Sequence, residues 1–169
     1  RSDLVKISSS SLKTLLKNGI LIEEKHEHYR MQYNSLASFN KELTKDQERA
    51  FLSVDLNNYN TYLLHGVTGS GKTEVYIKLI EKVLSMGKTA IVLVPEISLT
   101  PQIVNRFTGV FGNKIAALHS ALSDGEKYDE WRRIHRGEVS IVIGARSACF
   151  APLTNLGIIT VSYTHLTLP

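Results

Sequence analysis

Gly66-Val67-Thr68-Gly69-Ser70-Gly71-Lys72-Thr73 is the stretch that decides the architecture. It follows a short apolar run, Tyr62-Leu63-Leu64, and opens a helical pattern near Lys72. In that strand–loop–helix setting the spacing Gly-x-x-x-x-Gly-Lys-Thr cradles phosphate. Gly66, Gly69 and Gly71 allow the backbone to turn its N–H groups inward, where side chains would obstruct an anion. The following helix points the positive end of its dipole at the same spot. Val67, Thr68 and Ser70 complete the loop, Lys72 reaches the β- and γ-phosphates, and the Thr73 hydroxyl is placed to ligate magnesium. The expected ligand is a nucleoside triphosphate.

Composition agrees with that expectation. The chain has 169 residues, 43% of them hydrophobic, enough for one packed core and a small appendage. No apolar run approaches the roughly 18 residues of a membrane span, so no membrane partner is expected. No Met opens the chain, and its N-terminus lacks the apolar core of a signal peptide. The lone cysteine, Cys149, excludes an intrachain disulfide or a cysteine-rich zinc site within these residues. A formal charge of +4 and a pI near 9.2 mildly favour a polyanionic partner.

Four segments are expected. In residues 1–33, Ser8 to Ser11 offer N-caps, Leu12, Leu15 and Leu16 recur at helical spacing, and Gly19 closes the helix. Ile20-Leu21-Ile22 then open a strand that turns charged through Glu23 to Arg30. Helix, turn and charged ribbon form the back half of a winged-helix module, or alternatively a packing appendage with a solvated hairpin. Residues 34–42 are polar and read as a linker. From 43 to 161 helices and strands alternate. Helices are expected over 44–57, 71–86 and 99–111, with another capped by Ser123 and Glu126 and closed at Gly137. Strands are expected over 61–65, 89–94, 114–118, 140–143 and 157–161. This alternation specifies an α/β fold, a parallel sheet covered on both faces, of the RecA-like P-loop type. Residues 162–169 are expected to be a non-native tail.

Three further stretches follow strand ends, where parallel sheets bind ligands. They are VPEISLTPQ (94–102), LHSALS (118–123) and IGARSACFAPL (143–153). With VTGSGKTEVY (67–76), in this order and spacing, they resemble the family of primosomal protein N′. These are the PriA-type replication-restart DNA helicases of superfamily 2. The resemblance covers Leu43 to about Ile159, and the family also places a winged-helix domain ahead of its helicase lobes.

The resemblance implies an ATP-dependent 3′→5′ DNA helicase of the bacterial cytoplasm, acting in primosome assembly, replication restart and DNA repair. It implies catalytic roles for Lys72 and Thr73, with ATP and Mg²⁺ as cofactors and zinc only in parts of the family's chain beyond these residues. DNA, as single strands and forks, is the implied partner, along with primosome proteins and single-strand-binding protein; a monomer is expected. Glu96, Ser98, Thr100 and Gln102 fall where helicases touch the tracked strand, and Arg146 and Ser147 fall beside that track. Gln47 stands where superfamily 2 helicases read adenine, since a carboxamide donates and accepts at once. Thr44 and Gln47 equally form a capping box.

One departure matters. Where the family carries Asp-Glu-Glu-His, this chain reads Ser162-Tyr163-Thr164-His165. The Asp would hold the metal and the Glu would orient water. The chain is therefore expected to be a piece of a longer motor that binds ATP and DNA without hydrolysing ATP. The alternatives are a non-hydrolysing nucleotide- and DNA-binding scaffold, and another superfamily 2 translocase such as a fork-reversal or repair motor. Of the remaining residues, His26 and His28 read as a solvated wing rather than a metal pair. Cys149 reads as packed near the sheet. Trp131 reads as a helix–sheet anchor, with base stacking as the other possibility.

Overall fold

The computed structural model describes residues 9–24, 28–31, 42–95 and 101–162. Helix α1 (Ser9–Lys17) stands first, followed by α2 (Lys45–Leu52) and α3 (Lys72–Ser85). Then come β1 (Thr89–Leu93), α4 (Pro101–Phe111), β2 (Ile115–Leu118), α5 (Asp124–His135), β3 (Ile141–Gly144) and β4 (Leu156–Val161). Short 3-10 turns span Gly112–Lys114 and Arg146–Phe150. The four strands form one parallel sheet in the order β2-β3-β1-β4.

Side-chain alternation along the strands explains the layering. Ala90, Val92, Ile115, Ile141 and Ile143 point to one face, where Ile77 and Ile80 of α3 and Phe107 of α4 cover them. Ala116 and Val142 point the other way, into a cluster with Ile134 of α5, Val139 and Ala148. The register pairs Leu93 with both Gly144 and Val161, and Leu118 with Gly144. The carboxyl ends of all four strands are therefore level, and the segments that leave them share one rim. α3 returns to β1 through the turn at Met86, where Gly87 has φ +70°. Because α3 lies on the sheet and hands directly back to β1, its N-terminus faces that same rim.

Three expected elements differ. Residues 61–65 carry no ladder, and Leu63 is 87% exposed. An apolar run as short as Tyr62-Leu63-Leu64 falls below the usual strand length of about five residues and buries too little to hold a ladder. Ile20 to Ile22 form no strand either. The amides of Ile20 and Leu21 both donate to Leu15 O, at 3.0 and 3.3 Å, and so close α1 instead. The helix expected over 44–57 stops at Leu52. Asp55 captures the Asn57 amide at 2.9 Å and Asn58 Nδ2 at 2.8 Å, a local turn that competes with helix. Those bonds also hold the Asp55 carboxyl below its ordinary range, Asn58 contributing most. The capping box at Ser123 and Glu126 forms as expected, and Gly137 takes φ +69°.

Candidate nucleotide and nucleic-acid site

The loop from Gly66 to Gly71 enters α3 with two residues in the left-handed region, Gly69 at φ +83° and Gly71 at φ +77°. Only glycine takes those values without strain. Gly71 is the N-cap of α3, and no side chain caps it. The Glu74 amide donates to Gly71 O at 2.9 Å, which leaves the Lys72 and Thr73 amides at the helix start open to an acceptor from outside the helix. Lys72 curls over the loop: Nζ donates to Gly66 O at 2.7 Å and to Val67 O at 2.9 Å. A Cβ on Gly66 would lie 2.8 Å from Ser70 Oγ, so the loop closes tightly on itself. Glycine amides, an uncapped helix start, a cation and the Thr73 hydroxyl in the first turn fit the phosphates and metal of a nucleotide.

Gln47 meets this loop directly. Its amide donates to Thr44 Oγ1 at 3.4 Å, and Thr44 N–H donates to Gln47 Oε1 at 3.0 Å, so the capping box is complete. Its Nε2 donates to Ser70 O at 2.9 Å, and a Cβ on Gly71 would collide with that nitrogen. One side chain thus completes the capping box of α2 and braces the glycine loop before α3.

The strand-end residues divide. Glu96, Ser98 and Thr100 lie outside the described residues, whereas Gln102 is exposed in the first turn of α4. Arg146 and Ser147 are exposed at the start of the 3-10 turn that follows β3. Gly144 sets that turn. A Cβ there would meet Leu118 O and lie 2.6 Å from Ala148 Cβ, so only glycine lets β2, β3 and the turn close together. Cys149 is exposed rather than packed near the sheet, because Ala148 takes the buried position of the turn. Trp131 is 44% exposed, and Ile134 supplies the α5 anchor instead.

Three pairings were not legible in sequence. Glu74 in the first turn of α3 forms an ion pair with Arg106 of α4. Glu130, fully buried, accepts from Arg133 Nη1 at 2.8 Å and from the Ala117 amide at 3.2 Å. Arg30 bonds Asp129 at 2.6 Å. Glu130 and Arg133 stand one turn apart, a spacing that reads as an ordinary surface pair. Nothing local links the members of the other two.

Residues 44–165 match the family model of the DEAD/DEAH box helicases. The chain belongs to the DEAD/DEAH box helicase family. The chain is 55% identical over 165 residues to the replication restart protein PriA of Bacillus subtilis, covering 94% of itself and 20% of that relative. To the replication restart protein PriA of Synechocystis it is 48% identical over 170 residues, covering 97% of itself and 20% of the relative. It thus spans about a fifth of the length of these relatives. The crystal structure of the UvsW helicase from bacteriophage T4 shares the fold, with a TM-score of 0.56 at 17% identity, over 95% of this chain and 62% of that one. Among the described residues no helix is long and apolar enough to cross a membrane.

Proposed function

We propose that residues 43–161 are the first RecA-like motor lobe of an ATP-dependent 3′→5′ DNA helicase for primosome assembly and replication restart. Residues 1–33 are read as part of a winged-helix DNA-binding module, with α1 as its helix and no strand at Ile20 to Ile22, joined by a linker over 34–42. The observation that carries this reading is the phosphate cradle: an uncapped helix start at Gly71, two left-handed glycines, and Lys72 curled into the loop. Bound ATP and Mg²⁺ would supply the phosphoryl group and the charge that neutralises it. Gly69, Gly71 and Lys72 hold the phosphates, Thr73 holds the metal, and Gln47 braces the loop. Gln102, Arg146 and Ser147 sit on or beside the strand-end rim and contact DNA phosphates, together with Glu96, Ser98 and Thr100 from the segment after β1.

Within this chain the proposal is binding without turnover. Ser162 follows β4, its amide donating to Leu93 O at 2.8 Å. A neutral hydroxyl there cannot anchor a metal as an aspartate would. Calorimetry with ATP tests the cradle. Lys72→Ala removes charge-assisted hydrogen bonds worth about 1.5–3 kcal/mol, so affinity should fall roughly tenfold to a hundredfold. Equal affinities for parent and variant would overturn the assignment. DNA-stimulated ATPase activity in the parent, abolished by Lys72→Ala, would refute binding without turnover.

A further inference from the structure

Residues 28–31 precede the lobe in sequence yet rest on α5. Arg30 Nη1 bonds Asp129 Oδ2 at 2.6 Å and Gly125 O at 3.3 Å, while its backbone amide donates to the same Asp129 oxygen at 3.2 Å. The Asp129 side chain is 6% exposed, so this carboxylate is built into the surface rather than waving from it. Tyr29 lies beside it. Its hydroxyl donates to Glu138 Oε1 at 2.8 Å and accepts from Arg136 Nη1 at 3.3 Å. The Arg132 guanidinium lies 5.6 Å from the Tyr29 ring centre and 5.4 Å from that of Tyr128, and Arg133 lies 5.8 Å from Tyr29. Cations at these distances are attracted to an aromatic face.

We infer that the outer face of α5 is a docking seat for the chain's own N-terminal segment, and that Tyr29 and Arg30 fix that segment to the lobe as one rigid unit. The partner chemistry is specific: one aromatic ring among arginines, followed by one guanidinium that reaches a sunken carboxylate. Two consecutive residues satisfy both requirements, in directions set by separate groups on α5. The seat also grips Gly125, in the first turn of the helix that leaves the rim segment 118–123. An appendage held there keeps a constant offset from the rim. A solvated hairpin on a loose linker would sample many.

The exposed Cys149 offers one label site on the lobe, and Lys13→Cys, exposed on α1, offers the second. Double electron–electron resonance on the doubly spin-labelled full chain reads the distance distribution between them. The parent should give one narrow distribution. Tyr29→Ala with Arg30→Ala should broaden it at least twofold, and Asp129→Asn, which preserves volume, should broaden it in the same direction. Arg49→Ala, which removes the same charge from an exposed pair elsewhere, should leave it narrow. Circular dichroism confirms that the lobe is folded in each case. Tyr29 and Arg30 lie outside the sheet and its covering helices, so their loss spares that core. A parent distribution that is already broad, or a double variant as narrow as the parent, would overturn the inference.

Discussion

Gln47→Glu separates the two jobs of one side chain. The glutamate keeps an acceptor for the Thr44 amide, now 3.0 Å from Oε1, and glutamate serves a capping box as well as glutamine does. It loses the donor that reaches Ser70 O at 2.9 Å and sets a carboxylate oxygen against that carbonyl. A hydrogen bond of this kind is worth about 0.5–1.5 kcal/mol net. If it organises the loop before an anion arrives, its loss must be drawn from binding energy, a drop in ATP affinity of roughly two- to tenfold by the relation of about 1.4 kcal/mol per decade. Gln47→Ala loses the brace and also the reciprocal half of the capping box, the Thr44 N–H bond to Oε1, about 0.5–1.5 kcal/mol, while Thr44 Oγ1 keeps the backbone N–H of residue 47. Titration calorimetry and thermal melting, run on both variants, resolve the two effects. The expected pattern is lost ATP affinity in both variants, larger in Gln47→Glu because its carboxylate faces the Ser70 carbonyl beside the proposed phosphate site, and a lower melting temperature in Gln47→Ala from the lost Thr44 contact. Unchanged affinity in Gln47→Glu would show that the brace does not serve the cradle. A loss of ATP affinity without loss of GTP affinity would instead identify Gln47 as a reader of the adenine edge.

Other outcomes follow from the same contacts. Arg146→Ala should weaken single-strand binding about equally across sequences and reduce the slope of log affinity against log salt by about one ion; an unchanged slope with lower stability would mark a structural arginine. Glu130→Ala strands the Arg133 charge inside the fold and should cost about 3–5 kcal/mol in urea unfolding, whereas replacing both members with Leu and Met should be near neutral. Acid should undo the seat on α5. Burial pushes the Asp129 carboxyl upward, but hydrogen bonds and charge from Arg30 outweigh it and leave the net value depressed, with Arg132 adding to the same pull. A depressed value stabilises the fold above the ordinary aspartate range near 3.9, and that contribution is lost as pH falls through the lower folded value. The stability gap between parent and Asp129→Asn should therefore close on acidification, and a gap independent of pH would count against the pair.

Repeating local chemistry made most of the lobe legible. Capping boxes at Thr44 and Ser123, glycine closures at Gly19, Gly87 and Gly137, and β-branched runs at 89–93 and 141–143 each act within a few residues. The glycine loop at the start of α3, with Gly69 and Gly71 left-handed, was legible for the same reason. What escaped depends on partners far along the chain. Residues 61–65 read as a strand by composition, but a strand exists only with a neighbour to pair with. The burial of Glu130 depends on the Ala117 amide and on Asn113 O, which holds Arg133, and neither is visible from the helix that bears the pair. By sequence Gln47 fits either a capping box or a ligand contact. Its two polar ends are independent, so the fold uses one for the cap and the other for the loop.

The position of Lys72 has a kinetic consequence. Between encounters its ammonium already has two carbonyl partners, at 2.7 and 2.9 Å, so it does not wait as a bare charge in solvent. On the proposed nucleotide reading, entry and exit of ATP would both run through an exchange of the Gly66 and Val67 carbonyls for phosphate oxygens at Lys72 Nζ. The rates of loading and release would then report how readily the lysine makes that trade.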